Sequence, residues 1–559
     1  MKRSLVALLC LFSVLYAGAQ DAVIRWTQSN STDTTVTVWK GERIGLEGYF
    51  RMEDIPGEAL ELSCRAKKGI ATEAGILGGV ITDEGRHCGN HDMSLPTYLV
   101  WDVIDTDSLW TGYGDTASSD GRVRLYCSVD LPRNIKSGRH YVEVRLVGRD
   151  SRNTYAHMGL HLNVIDRALP APHEYAFHSD FWQQPYSVSR YYGVERWSRE
   201  HLDLLRPYMK RLARSGQKCV STILFYEPWG VQSFDKFSPM VETTLKADST
   251  WAYDYSVFDK WVELMQECGI DHQINCYSMV PWDMTFRYWD EAKGDYSTLK
   301  LTTADKAYDE LWTSFLKSFA EHLRKKGWLD KTCIAMDERS MSDMMRAYNI
   351  AQNAVPGLRM ALAGHYHNEL APLMQDYSIA FAHRFPADTL AARKARGQFS
   401  TVYTCCTEPR PNLFSNSHPM EATYLPVFAV ANGFDGYLHW SWMNWTEDPL
   451  HDSRFFLFSP GDTYCIYPDN HSSVRWEHYV YGVQMAEKVR LLREQLQQDI
   501  AALDRKVQGG RTDKAQELEA LHHRLAELDK AVGLFADGDG FAPEEIRQKV
   551  ETLNRLLNE

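Results

Sequence analysis

Ala304-Asp-Lys-Ala-Tyr-Asp-Glu-Leu-Trp-Thr-Ser-Phe-Leu-Lys-Ser-Phe-Ala-Glu-His-Leu-Arg-Lys-Lys326 and, a short turn later, Thr332-Cys-Ile-Ala-Met-Asp-Glu-Arg339 decide how the middle of this chain is read. The first segment puts its apolar side chains on one side of a helix, and the second opens with an apolar run of strand length. The same alternation repeats on both sides. Candidate strands are Glu174–Phe181, Lys218–Phe225, Asp271–Cys276, Thr332–Met336, Leu358–Leu362, Tyr377–Phe381, Thr401–Thr404 and Gly436–Trp440, with further amphipathic helices at Glu200–Ser215 and Ser256–Cys268. Eight strand–helix units over about 300 residues have the count and size of a (β/α)8 TIM-like barrel, an α/β fold expected to occupy 171–482. A doubly wound open sheet is the competing arrangement, but no Gly-x-Gly-x-x-Gly follows the first strand.

Residues 20–170, before the barrel, read as an all-β sandwich. Runs such as Thr35–Trp39, Leu60–Cys64, Val123–Cys127 and Tyr141–Leu146 alternate apolar and polar side chains, and turns such as Asp120-Gly121 and Lys136-Ser-Gly138 separate them. Leu169-Pro-Ala-Pro172 punctuates the end of this region as a linker. Residues 1–19 read as an export signal. Lys2 and Arg3 form its basic start, Leu5–Tyr16 an apolar run too short to span a bilayer, and Ala17-Gly-Ala19 the cleavage site. The protein is therefore expected in the periplasm or outside the cell, with no membrane insertion.

Residues 483–559, after the barrel, are helical. Val489, Leu492, Leu496, Ile500, Leu503 and Val507 recur at helical spacing, Gly509-Gly510 interrupts, and Leu518, Leu521, Leu525, Leu528 and Val532 resume the pattern. This is an antiparallel hairpin, followed by a short third helix from Pro543. It serves as packing material or as a surface for self-association into a homo-oligomer.

Hydrophobic residues make up 44% of the 559 and charged ones 24%, which suits a globular protein. A net charge of −13 repels phosphate backbones and anionic lipid, so nucleic acid is not an expected partner. The eleven cysteines are sparse and none forms a Cys-x-x-Cys pair, which disfavours a stapled scaffold, a zinc ribbon and a thioredoxin-type centre. Cys219, Cys276 and Cys333 sit in apolar runs and read as small buried hydrophobes; a nucleophile at Cys405-Cys406 is disfavoured. No cofactor and no metal are expected.

In a barrel, chemistry belongs at the C-terminal ends of the strands. Those ends carry Ser179-Asp-Phe-Trp182, Tyr226-Glu-Pro-Trp229, Asn275-Cys-Tyr-Ser278 with Trp282 beyond, Asp337-Glu338, Gly364-His-Tyr-His367 and His439-Trp-Ser-Trp-Met-Asn-Trp445. Indole and phenol rings pack on the C–H faces of sugars, and carboxylates and amides pair with their hydroxyls, so a glycan is the expected partner. Asp337 and Glu338 are the sharpest feature, because two carboxylates ending a buried strand are costly without a purpose. Within a strand they point to opposite faces, so both serve one ligand only if the strand ends there. The neighbouring charge and partial burial are then expected to raise one pKa, leaving a protonated acid beside an ionised partner. A helix-start Asp or a salt bridge to Arg339 is the structural alternative.

Met336-Asp-Glu338 resembles the catalytic pair of glycoside hydrolase family 123, as does the block Asp435-Gly-Tyr-Leu-His-Trp-Ser-Trp-Met-Asn-Trp-Thr-Glu-Asp-Pro449. Gly461-Asp-Thr-Tyr464, Tyr467-Pro468 and Ser472-Ser-Val-Arg475 extend the similarity, which spans roughly 20–490 and is most specific over 435–477. The resemblance implies a retaining β-N-acetylgalactosaminidase assisted by the substrate's 2-acetamido group. Asp337 would orient the acetamido nitrogen, and Glu338 would protonate the leaving oxygen and later activate water. Tyr277, and after it Tyr366, are candidates for a hydroxyl supporting the acetamido oxygen. Trp282, His365, Trp440, Trp442, Asn444 and Glu447 complete the expected substrate-binding set, with Trp440 or Trp442 as the sugar floor. Three alternatives stand beside this: the same fold acting on N-acetylglucosamine or a non-acetylated sugar, a non-catalytic carbohydrate-binding protein, and a metallohydrolase built on His365, His367 and His383.

Overall fold

The computed structural model describes residues 24–51, 58–85, 88–107, 121–230 and 232–559, so the expected export signal lies outside the described residues. Two compact units form: the chain up to Gly79 with Trp101–Ala168, and Val80–Val100 with Leu169–Glu559. The first unit has two facing sheets. Ile24–Trp26, Arg43–Arg51, Arg122–Asp130, Ala71–Asp83 and Thr97–Asp105 are neighbours in one; Asp33–Lys40, Thr154–Ala168, Gly138–Gly148 and Leu60–Ala66 form the other. Alternation sends Val123, Leu125 and Cys127 from one sheet, and Val142, Val144 and Leu146 from the other, into a shared core with Trp26 and Phe50. Neighbours such as Gly138–Gly148 and Thr154–Ala168 pair antiparallel, as expected of a sandwich, but Asp33–Lys40 runs parallel to Thr154–Ala168. Strands so distant in sequence share no hairpin turn that would impose antiparallel pairing.

The second unit is built on eight parallel strands: β1 (His178–Phe181), β2 (Cys219–Ile223), β3 (Gln273–Tyr277), β4 (Thr332–Asp337), β5 (Arg359–Gly364), β6 (Asp376–Ala380), β7 (Phe399–Tyr403) and β8 (Gly436–His439). Their order is β1-β8-β7-β6-β5-β4-β3-β2. A single bridge between Ser179 and Gln217 spans the seam between β1 and β2, where the Lys218 N–H donates to the Ser179 carbonyl at 2.9 Å. The sheet is thus a nearly closed barrel. Every residue of β1, β2, β3 and β6 is buried, polar ones such as Asp180, Ser221, Asn275 and Ser378 included, so these strands show no alternation of exposed and buried positions. β1 begins at His178 rather than Glu174, because Pro172–Glu174 makes a 3-10 turn.

The loops after β2 and β3 carry a small sheet that sequence reading missed: Glu242–Leu245, Trp251–Asp254, Thr285–Asp290 and Asp295–Lys300. These strands are four to six residues long and half-exposed, so their alternation is too brief to stand out between helices. At the C-terminus, the helix Val474–Gln508 is continuous, so the expected boundary at 482/483 falls inside it. Its first turns bury Trp476, Tyr479 and Val483, and its later turns join the hairpin with Ala515–Gly533 before Pro543–Asn558 follows. Tyr424, on the barrel helix Met420–Ala431, fastens the extension: its hydroxyl donates to the Phe535 carbonyl at 2.8 Å and its ring meets Phe535 and Phe541. Among the described residues no helix is long and apolar enough to cross a membrane.

Candidate active site

β4 is buried from Thr332 to Met336 and ends at Asp337, so Glu338 already belongs to the loop. That ending lets neighbouring carboxylates line one cleft. An Asp337 oxygen accepts the indole N–H of Trp229. Burial pushes the Asp337 carboxyl up to about 6, against the opposing pull of Arg339 and the indoles of Trp229 and Trp282. Of the two expected causes, partial burial raises it and the neighbouring carboxylate does not figure. Glu338 is more open, with a side chain 38% exposed, and meets Nδ1 of His365. Gly364 at the end of β5 makes room there: a Cβ on it would stand 3.0 Å from the Glu338 Cβ. Arg339 forms no salt bridge with either carboxylate. Its Nε donates to the Val280 carbonyl at 3.0 Å, and its guanidinium lies 4.0 Å above the Trp282 ring.

The cleft holds about 580 Å³ and is walled by Trp182, Trp229, Trp282 and Trp440 around the two carboxylates. Trp182 and Trp229 stack with centroids 5.2 Å apart, and Tyr277 packs behind both at 4.5 and 5.1 Å. Tyr277, an expected binding residue, is 2% exposed and is not among the residues of the cleft wall. Asp337 and Glu338 are the only carboxylates in the cleft wall among the described residues.

The remaining expected residues separate. Trp282 and Trp440 line the cleft, and the Trp440 indole donates to Asp462 at 3.1 Å. Trp442 does not: it is fully buried against Trp476 and is not part of the cleft wall. The chain has left β8 at His439, so the period-two rule that put Trp440 and Trp442 on one face no longer applies. Asn444 lies 2% exposed beside a small cavity of about 10 Å³ behind Trp182 and Trp440, and its side-chain atoms have no partners among the described residues. His365 touches Glu338 rather than the cleft space. Tyr366 is off the cleft, its hydroxyl donating to Asn368 at 2.6 Å. Glu447 is exposed and also off the cleft, because Arg190 pins the carbonyls of Trp445 and Thr446 just before it.

Sequence reasoning noted Trp182 and Trp229 at strand ends without assigning them a site role, although their position carried the signal. It had no signal for Cys88, Gly89, Tyr403, Leu457 and Phe458, which also line the wall, or for the Cys88–Cys406 disulfide. His365, His367 and His383 do not gather as a metal triad. Among the described residues the group that could is His178, Cys219 and Asp376, buried at the opposite end of the strands. There Asp376 Oδ2 pairs with His178 at 2.9 Å and accepts from Gln273 at 2.7 Å, while Nδ1 of His178 is left without a partner.

No curated protein matches the chain. The family model "Glycoside hydrolase 123, catalytic domain" matches residues 182–492, more than half of the 559. Among solved structures, a family 123 glycoside hydrolase from Clostridium perfringens, described in work on glycolipid glycan hydrolysis, aligns over 95% of this chain and 93% of its own. Its TM-score is 0.78 at 22% identity, a likeness of fold. A calcium-binding mutant of Bacteroides uniformis beta-glucuronidase 2 covers 82% of this chain and 50% of its own at 9% identity, with a TM-score of only 0.28. The class follows from the family match: this is a glycoside hydrolase. Within that class the chain belongs to family 123.

Proposed function

We propose that the protein is a retaining β-N-acetylgalactosaminidase in which the substrate's 2-acetamido oxygen, not a protein carboxylate, attacks the anomeric carbon. The observation that carries this reading is that the only carboxylates in the described cleft wall are sequence neighbours. A two-carboxylate retaining site sets its nucleophile and its acid on opposite sides of the glycosidic bond, about 5 Å apart. Neighbours at one strand end reach the sugar from one side, and the opposite attack is left to the substrate. Asp337 accepts the acetamido N–H and sharpens the nucleophilicity of its oxygen. Glu338 protonates the departing oxygen, then draws a proton from water that opens the oxazolinium from the face the leaving group vacated. The Clostridium perfringens relative acts on glycolipid glycans, which supports a glycan substrate for this chain too. The Cys88–Cys406 disulfide supports an exported protein.

The test is hydrolysis of paired aryl β-N-acetylgalactosaminide and β-N-acetylglucosaminide, followed by proton NMR. The β-anomer should appear first, and a thiazoline mimic of the oxazoline should inhibit. Release of the α-anomer first overturns the mechanism, and preference for the glucosaminide overturns the sugar assignment.

The tryptophans give a second test. Trp440→Ala should lower kcat/KM by about 2–3 kcal/mol if the ring is the floor beneath a flattening sugar, with the melting temperature nearly kept. Trp442→Ala empties a buried site and should cost about 3–5 kcal/mol of stability instead. Thermal melts beside kinetics on the folded variants separate the two; normal kcat/KM in Trp440→Ala removes the floor assignment.

A further inference from the structure

Of the tryptophans that wall the cleft, Trp182, Trp229 and Trp440 are each held by another ring. Trp182 stacks on Trp229 and packs on Tyr277, and Trp440 meets Phe458 edge-on at 5.0 Å. Trp282 is held differently. It is 50% exposed, and among the described residues no other aromatic ring packs on it. Its main chain is tied down, since its N–H donates to the Pro228 carbonyl at 2.8 Å. That bond fixes the backbone but leaves the two side-chain torsions to whatever touches the ring. What touches it is Arg339, whose guanidinium lies 4.0 Å from the ring centroid. The guanidinium is itself aimed by its Nε, which donates at 3.0 Å to the carbonyl of Val280 in the same loop as Trp282. Nη2 is buried and makes no hydrogen bond, so the Val280 carbonyl and the ring are what orient the group.

Arg339 directly follows Glu338, so this grip joins the strand end that carries both carboxylates to the loop after β3. We infer that Arg339 is a positioning residue: it holds the Trp282 ring in one orientation as a wall of the cleft and ties that wall to the strand end bearing Asp337 and Glu338. The inference rests on the glycosidase reading above only for what the held ring does, which is to meet a bound glycan. A planar cation is needed for the task. Lys would keep the charge, but an ammonium on a flexible stem neither lies flat on an indole nor carries the Nε donor for Val280. The grip also reaches Asp337. Its carboxylate is favoured in the charged form by the Arg339 guanidinium and by the Trp282 indole, so both supports weaken together when Arg339 is lost. Tyr277 of β3 and Tyr403 of β7 also face Asp337, but burial raises both phenols and keeps them neutral. Asp283 and Asp343 are the other charges near the guanidinium, and neither pairs with it among the described residues.

The experiment uses the full chain as wild type, Arg339→Met, Arg339→Lys, Trp282→Ala and the double variant R339M/W282A, with melting temperatures to show that each is folded. Fluorine NMR of fluorotryptophan-labelled protein reads the ring without any turnover, the Trp282 resonance being assigned by its loss in Trp282→Phe. That resonance should shift and narrow in Arg339→Met and in Arg339→Lys; an unchanged resonance in either folded variant overturns the clamp. Kinetics on an aryl glycoside at about pH 8, where Asp337 is ionised throughout, should show Arg339→Met lowering kcat/KM about fivefold, the worth of one cation–π contact at a partly exposed ring. The same change made in Trp282→Ala should do almost nothing, because the ring it acts through is already gone. Equal losses in the two backgrounds overturn action through Trp282. The acid limb of kcat/KM, with its midpoint near 6 in wild type, should move to higher pH in Arg339→Met; a limb that stays in place overturns the tie to Asp337. If the wild type hydrolyses no aryl N-acetylhexosaminide, the glycosidase reading fails, and the fluorine spectrum still decides the clamp.

Discussion

Glu338→Gln is expected to cut kcat/KM by about 10²–10⁴-fold on a glycan whose leaving group is a sugar hydroxyl, the usual worth of a positioned general acid. A sugar alkoxide cannot leave unprotonated, whereas an activated phenolate can, so aryl glycosides should keep far more of their rate. Gln has the volume of Glu and still offers a hydrogen bond to the His365 ring that meets this side chain, so the loop after β4 should stay in place. The diagnostic measurement is log kcat/KM against leaving-group pKa for a series of aryl glycosides. The variant's slope should be much steeper than the wild type's. Parallel slopes would remove Glu338 from the proton-donor role.

Asp337→Asn should slow good and poor leaving groups alike, by about 10²–10³-fold, because it weakens the internal nucleophile rather than the departure. The pH profile adds a signature. Asp337 must be ionised to accept the acetamido N–H, and burial has raised it to about 6, so wild-type kcat/KM should fall on the acid side with a midpoint near 6. That limb should vanish in Asp337→Asn. Stability carries the opposite sign. A carboxyl whose folded pKa lies above its ordinary 3.8 holds its proton more tightly in the native state, so its stabilising contribution is complete below 3.8 and is lost as pH rises through about 6. The variant should therefore gain in melting temperature relative to wild type between those pH values. A limb that survives in the variant, or a melting difference flat across the window, would assign the titration to another group.

The barrel was legible where a buried strand is written as a short apolar run between amphipathic helices, and Thr332–Met336 is as plain in sequence as in space. The pairing of Asp337 with Glu338 was legible for the same reason, as the strand's end is where its apolar run stops. What lay beyond was not. Period-two reasoning carried Trp442 into the floor because nothing in Trp440-Ser-Trp-Met-Asn-Trp445 marks that the strand has already ended at His439. Burial raises the Asp337 pKa, and the indoles that oppose it, Trp229 and Trp282, come from the loops after β2 and β3, far from it in sequence. Cys88 shows the limit most sharply: its partner is 318 residues away, and no local pattern announces a contact at that range.

The strand Ala71–Asp83 starts in one compact unit and finishes in the other, so the unit that holds the cleft is not one stretch of gene. A fragment begun at the linker Leu169-Pro-Ala-Pro172 would encode all eight strands and both carboxylates yet leave Cys406 without its partner and the cleft without Cys88 and Gly89. For the same reason a single recombination point between the β-region and the barrel would carry an incomplete site into its new host. Inheritance of this cleft requires both halves to travel together, and a shortened clone is the wrong starting material for engineering it.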